Sequence, residues 1–124
     1  MKNSIKEKMS GWGGYPVENV NSIYPNDVDE ILREIKKGNV IARGNGRSYG
    51  DSAQNIQKTI NMRGFNKMLS FDNKFGVLEA EAGVLVEDII NTFLPKGWFP
   101  YVTPGSKFVS IGGLISADVH GKNH

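Results

Sequence analysis

Hydrophobic residues along this chain fall into short bursts, separated by polar and glycine-rich stretches, and most bursts have a readable period. Val28, Ile31, Leu32 and Ile35 recur at i, i+3, i+4 and i+7, which predicts one apolar stripe of a helix. Asn26 suits the N-cap, and Asp27, Asp29 and Glu30 place carboxylates in the first turn. Lys36 and Lys37 close the last turn and Gly38 suits the position beyond it. Residues 40–42 read as a short strand that stops at Arg43, and residues 43–58 carry no apolar periodicity at all. A strand pattern resumes over 59–62. Residues 68–71 and 77–80 are two further strands, joined by a hairpin turn over 72–76. Val86, Ile89, Ile90, Phe93 and Leu94 mark a second helix, stopped by Pro95 and Gly97. Residues 100–102 predict a short extended segment, and Gly112 and Gly113 open an apolar run to Ala117 that suits either a short helix or a strand. The first sixteen residues, charged and then glycine-rich, read as an irregular lead-in to a domain over 17–124. Helices alternating with hairpin-spaced strands exclude an all-β fold and point to mixed α/β, in the α+β class.

Composition adds limits rather than identity. A chain of 124 residues has room for one core. Fifteen Lys and Arg against thirteen Asp and Glu leave a net charge of +2, too little to imply nucleic acid. The absence of cysteine excludes disulfides, zinc–thiolate sites and a cysteine nucleophile. The polar N-terminus lacks the apolar run of a signal peptide, and no stretch suits a membrane span, so a cytoplasmic chain is expected. Glycine stands out at 15 residues, against a usual share of about 7%. That excess calls for unusual backbone freedom or close approach to a ligand.

The densest glycine segment, Arg43-Gly44-Asn45-Gly46-Arg47-Ser48-Tyr49-Gly50-Asp51, directly follows a short strand. Its glycines can point consecutive N–H groups at one spot, and two arginines and a serine add donors suited to phosphate oxygens. A pyrophosphate would satisfy these donors best. The segment is neither a Walker A motif nor a good dinucleotide fingerprint, because the spacing is Gly-x-Gly-x-x-x-Gly and no amphipathic helix follows. A plain surface loop with glycines at its turns is the competing reading. Gly112-Gly113 inside an apolar run admits the same choice, between approach to a flat or phosphate-bearing ligand and close backbone packing. His120 and His124 stand at i, i+4, but a metal pair lacks a third ligand. His120 remains a candidate acid–base group.

Taken together these segments resemble the vanillyl-alcohol-oxidase, or PCMH-type, family of FAD-binding domains, over about residues 25–124. The narrower resemblance, through Gly11-Trp12-Gly13, residues 42–51, Ala53-Gln54-Asn55 and residues 118–124, is to the decaprenylphosphoryl-ribose 2′-oxidase branch; sugar-lactone oxidases share the pattern less closely. The resemblance implies that Ala42, Arg43, Gly44, Asn45, Gly46, Arg47, Ser48, Tyr49, Gly50, Asp51 and Ser52 wrap the FAD pyrophosphate. It implies that Gly105, Ser110, Ile111, Gly112 and Gly113 line the cofactor's other side, and that Ala117, Asp118, Val119 and His120 run past the flavin ring. In some members a histidine bonds covalently to the flavin. In this branch it stays non-covalent and faces the substrate pocket with the lysine two positions on, here His120 and Lys122. Trp12 matches a tryptophan near that branch's active site. The implied chemistry is oxidation of a sugar hydroxyl, with a polyprenyl-phosphate sugar or another sugar as substrate. Relatives continue past the motif that ends here, so the chain is expected to be an incomplete FAD domain. The alternative is a non-catalytic fragment or interaction module that needs a C-terminal partner chain or domain to complete the flavin site.

Overall fold

The computed structural model describes residues 3–121. The chain divides after Gly64 into two compact units.

The first unit holds strand β1 (Ser4–Met9), strand β2 (Glu18–Ile23), helix α1 (Val28–Lys37), strand β3 (Ile41–Arg43) and strand β4 (Thr59–Asn61). They form a four-stranded sheet in the order β1-β2-β4-β3, with β1 antiparallel to β2 and β4 parallel to both of its neighbours. The presumed irregular lead-in therefore contains a strand. Its six residues pair with β2 in full register, from Ser4 opposite Ile23 to Met9 opposite Glu18. Parallel neighbours need a crossover of about a dozen residues or more, which is why a long connection separates β3 from β4. Residues 44–58 are that crossover, built as a loop instead of a helix. Val20, Ser22 and Thr59 are fully buried at the centre of this unit, with Ile23 and Ile60 beside them.

Helix α1 begins one residue later than its sequence suggests. Asp27 is the N-cap: its Oδ1 accepts from the Glu30 N–H at 2.7 Å, while Glu30 Oε2 accepts from the Asn26 N–H at 2.7 Å. The first bond satisfies a donor that the helix start leaves open, and the second fastens the residue before the cap. The predicted apolar stripe is not the buried face. Val28, Leu32 and Ile35 are about half exposed, whereas Glu34 is 8% exposed. Glu34 turns inward because two ammonium groups hold it, Lys37 at 2.6 Å and Lys58 at 2.8 Å. Hydrogen bonds from Lys37 and then Lys58 keep its carboxyl below the usual carboxylate range.

The second unit holds β5 (Met68–Asp72), β6 (Val77–Ala80), α2 (Val86–Phe93), a 3-10 turn (Leu94–Lys96) and α3 (Ile111–Ser116). The hairpin β5–β6 forms as expected, with a bulge between Met68 and Ser70. Its turn is fixed by the Asp72 carboxylate, which accepts from the N–H groups of Lys74 and Phe75 at 2.8 and 3.1 Å. Val84, Leu85, Val86 and Phe93 are buried. Phe71 lies 4.2 Å from Phe93 between ring centroids and meets Trp98 edge-on at 5.8 Å. The run after Gly112 resolves as helix, because the Ser110 hydroxyl accepts from the Gly113 N–H at 3.2 Å and caps it. Residues 100–102 form a bend where an extended segment was expected. The extended pairing goes instead to residues 107–111: Val86 N–H donates to Val109 O at 3.0 Å and Ile111 N–H to Val84 O at 2.8 Å. Among the described residues no helix is long and apolar enough to cross a membrane.

Candidate functional site

In the first unit, β3 delivers the chain into the glycine loop and β4 receives it. Ala42 pairs with Ile60, and the Met62 N–H donates to Arg43 O at 2.9 Å, so both ends of the loop are pinned to the sheet. The side chain of Arg43 does not project outward. Its Nη2 donates to Ser10 O at 2.7 Å and its Nη1 to Ala53 O at 3.4 Å. Burial lowers the basicity of this guanidinium, while Glu7 and Tyr24 nearby oppose that effect. Gly46 sits at φ 66° directly against Arg43, and a Cβ there would strike the guanidinium. Arg43 is thus an internal post around which the loop turns.

The rest of the loop lies nearer the surface. Residues 44–48 and Gly50 are half-buried, whereas Tyr49, Asp51 and Ser52 are exposed. The Ser52 hydroxyl donates to Tyr49 O at 2.9 Å. Trp12 joins this cluster: its N–H donates to Ser48 O at 2.7 Å, and the Arg47 guanidinium lies 4.6 Å above its ring. Two neighbours of Trp12 belong here as well. Ser10 O accepts from Arg43, and Gly11 packs against the loop so closely that a Cβ would strike the carbonyl oxygens of Gly50 and Ser48. The Gly11-Trp12-Gly13 pattern marked Gly11 in the sequence, whereas Ser10, which acts through its backbone carbonyl, left no signal.

In the second unit a cleft of about 570 Å³ opens between residues 103–105 and residues 117–121. It brings together Gly105, Ala117, Asp118, Val119 and His120. Ser110, Ile111, Gly112 and Gly113 stand apart from it, at the start of α3. Their polar groups are engaged within the unit: Ser110 is 2% exposed, and the N–H groups of Ile111 and Gly112 donate to Val84 O and Ala82 O, each at 2.8 Å. A Cβ at Gly112 would press on Ala82 at 3.1 Å, so close packing accounts for this glycine.

Helix α3 feeds the cleft through its C-terminal cap. Asp118 N–H donates to Ile115 O at 3.2 Å and Val119 N–H to Leu114 O at 3.1 Å, the double bond of a Schellman motif. The residue in the left-handed position is Asp118, at φ 47°, where glycine is the usual occupant. Asp118→Gly is expected to raise stability by about 1 kcal/mol, seen as a higher urea midpoint at unchanged slope. An unchanged or lower midpoint would mean that the carboxylate compensates for the backbone strain.

His120 is exposed, with Nδ1 at 2.8 Å from Asp118 O. A carbonyl oxygen only accepts, so Nδ1 carries a hydrogen in this contact. Lys122 and His124 lie outside the described residues. Among the described residues no three His, Cys, Asp or Glu side chains gather as metal ligands.

The chain is 35% identical over 125 aligned residues to decaprenylphosphoryl-β-D-ribose oxidase of Mycolicibacterium smegmatis, covering 95% of this chain and 27% of that protein. The fold superimposes on cholesterol oxidase from Brevibacterium sterolicum with a TM-score of 0.77 at 15% identity, over 95% of this chain and 25% of the other. It also matches alkyldihydroxyacetonephosphate synthase with a TM-score of 0.67 at 19% identity, over 85% of this chain and 22% of that one. The chain therefore spans about a quarter of the length of the relatives it matches. The model of the FAD binding domain family matches residues 23–124, so this chain belongs to that family, and its cofactor is FAD.

Proposed function

We propose that the chain is the FAD-holding portion of an oxidoreductase that oxidises a sugar hydroxyl, with a sugar linked to a polyprenyl phosphate as the substrate class. The observation that carries this reading is the cleft in which Gly105 and Ala117 to His120 converge, in a chain 35% identical to an oxidase of decaprenylphosphoryl ribose. The residues present suit the cofactor. The loop over 43–52 offers mainly backbone, with Gly50 at φ 63° and open space where its Cβ would stand. A pyrophosphate would be held there by N–H groups, with the Arg43 side chain serving the loop's shape and not the phosphate directly. The 570 Å³ cleft presents backbone and small side chains, which suit a flat ring. The bound flavin supplies the hydride-accepting chemistry. His120, in its neutral form, would take the hydroxyl proton of the substrate at Nε2. Lys122 and Trp12 are the further substrate-side candidates that the resemblance implies.

Purified chain titrated with FAD tests this reading. Flavin absorbance that survives desalting is the expected result; a colourless protein after incubation with FAD overturns cofactor binding by this chain. A second reading, a module completed by a C-terminal partner chain or domain, is favoured by the exposed stripe of Val28, Leu32 and Ile35 on α1. Flavin retention only on co-expression with such a partner would select it.

A further inference from the structure

We infer that residues 10–13 are a positioning strap for the glycine loop, with Gly11 and Arg43 as its positioning residues. The inference rests on the reading of that loop as the pyrophosphate-binding segment. Four fastenings occur in four consecutive residues. Ser10 O accepts from Arg43 at 2.7 Å. Gly11 lies against the backbone carbonyls of Ser48 and Gly50, with no room for a side chain. The Trp12 N–H donates to Ser48 O at 2.7 Å and its ring lies under Arg47. Gly13 faces the ring of Tyr49.

The strap acts on what a loop most needs. A crossover without a helix has no internal ladder to fix its backbone, and a loop that must aim N–H groups at an anion loses affinity when its shape wanders. Gly11 lies against the Ser48 and Gly50 carbonyls and the Gly50 nitrogen, so it fixes the path of the backbone through Tyr49. Strand β1 anchors the strap, since Met9 ends a six-residue ladder with β2. Residues just beyond the sheet's first strand therefore set the geometry of a loop that starts about thirty residues later.

The decisive variant is Gly11→Ala, with Gly64→Ala as control because open space surrounds Gly64. Amide hydrogen exchange without FAD should show residues 44–50 exchanging about tenfold faster in Gly11→Ala, with β1 and β2 protected as before. The Kd for FAD should rise about tenfold or more, and Gly64→Ala should leave both quantities unchanged. Unaltered exchange at 44–50 in folded Gly11→Ala overturns the strap. That exchange readout stands even if the unsubstituted chain binds no FAD, an outcome that would sink the reading of the loop and not the strap. If Gly11→Ala does not fold, native-state exchange of the unsubstituted chain decides. The Trp12 amide should open together with residues 44–50; its opening separately from them overturns the proposal.

Discussion

Phe93→Ala is expected to lower the unfolding free energy by about 4 kcal/mol, in the middle of the range for a truncated core aromatic. Phe93 is 6% exposed and stacks on Phe71 with 4.2 Å between ring centroids. It also borders an apolar cavity of about 250 Å³ shared with Trp98 and Leu114. Removing the ring takes away the face on which Phe71 stacks and widens this apolar cleft. Marginal stability of about 5–15 kcal/mol makes such a loss decisive for a small unit. Urea unfolding followed through Trp98 fluorescence, in a Trp12→Phe background, measures it. A shift worth under about 1.5 kcal/mol would show that the void collapses and that the aromatic cluster is not the core of this unit.

Arg43→Met should cost about 2–3 kcal/mol, because it leaves the carbonyls of Ser10 and Ala53 without a charged donor while keeping the length of the side chain. It also carries an electrostatic signature. Glu7 is held below the usual carboxylate range by the nearby Ser22 hydroxyl and the hydrogen bond from Tyr24, with a smaller contribution from Arg43. Tyr24 is raised, first by burial and then by its bond to Glu7 at 2.6 Å, and Arg43 opposes that rise. Loss of the guanidinium therefore raises both groups. A carboxylate with a depressed pKa stabilises the fold above its unfolded value, and that contribution disappears as pH falls through its folded value. With Glu7 less depressed, the acid limb of stability against pH should start at the same pH but be smaller and level off at a higher pH in Arg43→Met. Superimposable acid limbs would show that Arg43 and Glu7 do not interact.

Much of the frame was legible from short apolar runs bounded by turn residues. Strands β3 to β6 and helix α2 fall close to where their hydrophobic bursts lie, because glycine, proline and Asp72 punctuate them cleanly. Strands β1 and β2 were not legible. Lys6, Glu7 and Lys8 give the edge strand no apolar alternation, and β2 buries Ser22 at a position where a pattern search expects a hydrophobe. The stripe on α1 misled for a related reason: an ion pair with Lys58 draws Glu34 inward, and periodicity does not register pairs formed across a fold. In the candidate site, the loop and the segment from Ala117 to His120 were visible in the sequence. The internal role of Arg43 was not, since its partners Ser10 and Ala53 are backbone carbonyls that leave no trace in residue type. Gly112 illustrates the converse, a motif glycine accounted for by packing on Ala82.

The loop from β3 to β4 closes between two strands hydrogen-bonded to each other, Ala42 opposite Ile60. Its closure entropy is thus part of the cost of forming the parallel half of the sheet, because those strands cannot pair until the intervening residues have been gathered in. Any ligand seated on that loop draws its free energy into the same equilibrium and raises stability by RT ln(1 + [L]/Kd). At a concentration one hundred times Kd that is about 2.7 kcal/mol. Binding of a ligand on that loop and assembly of the β2-β4-β3 ladder would, by this connection, be thermodynamically linked.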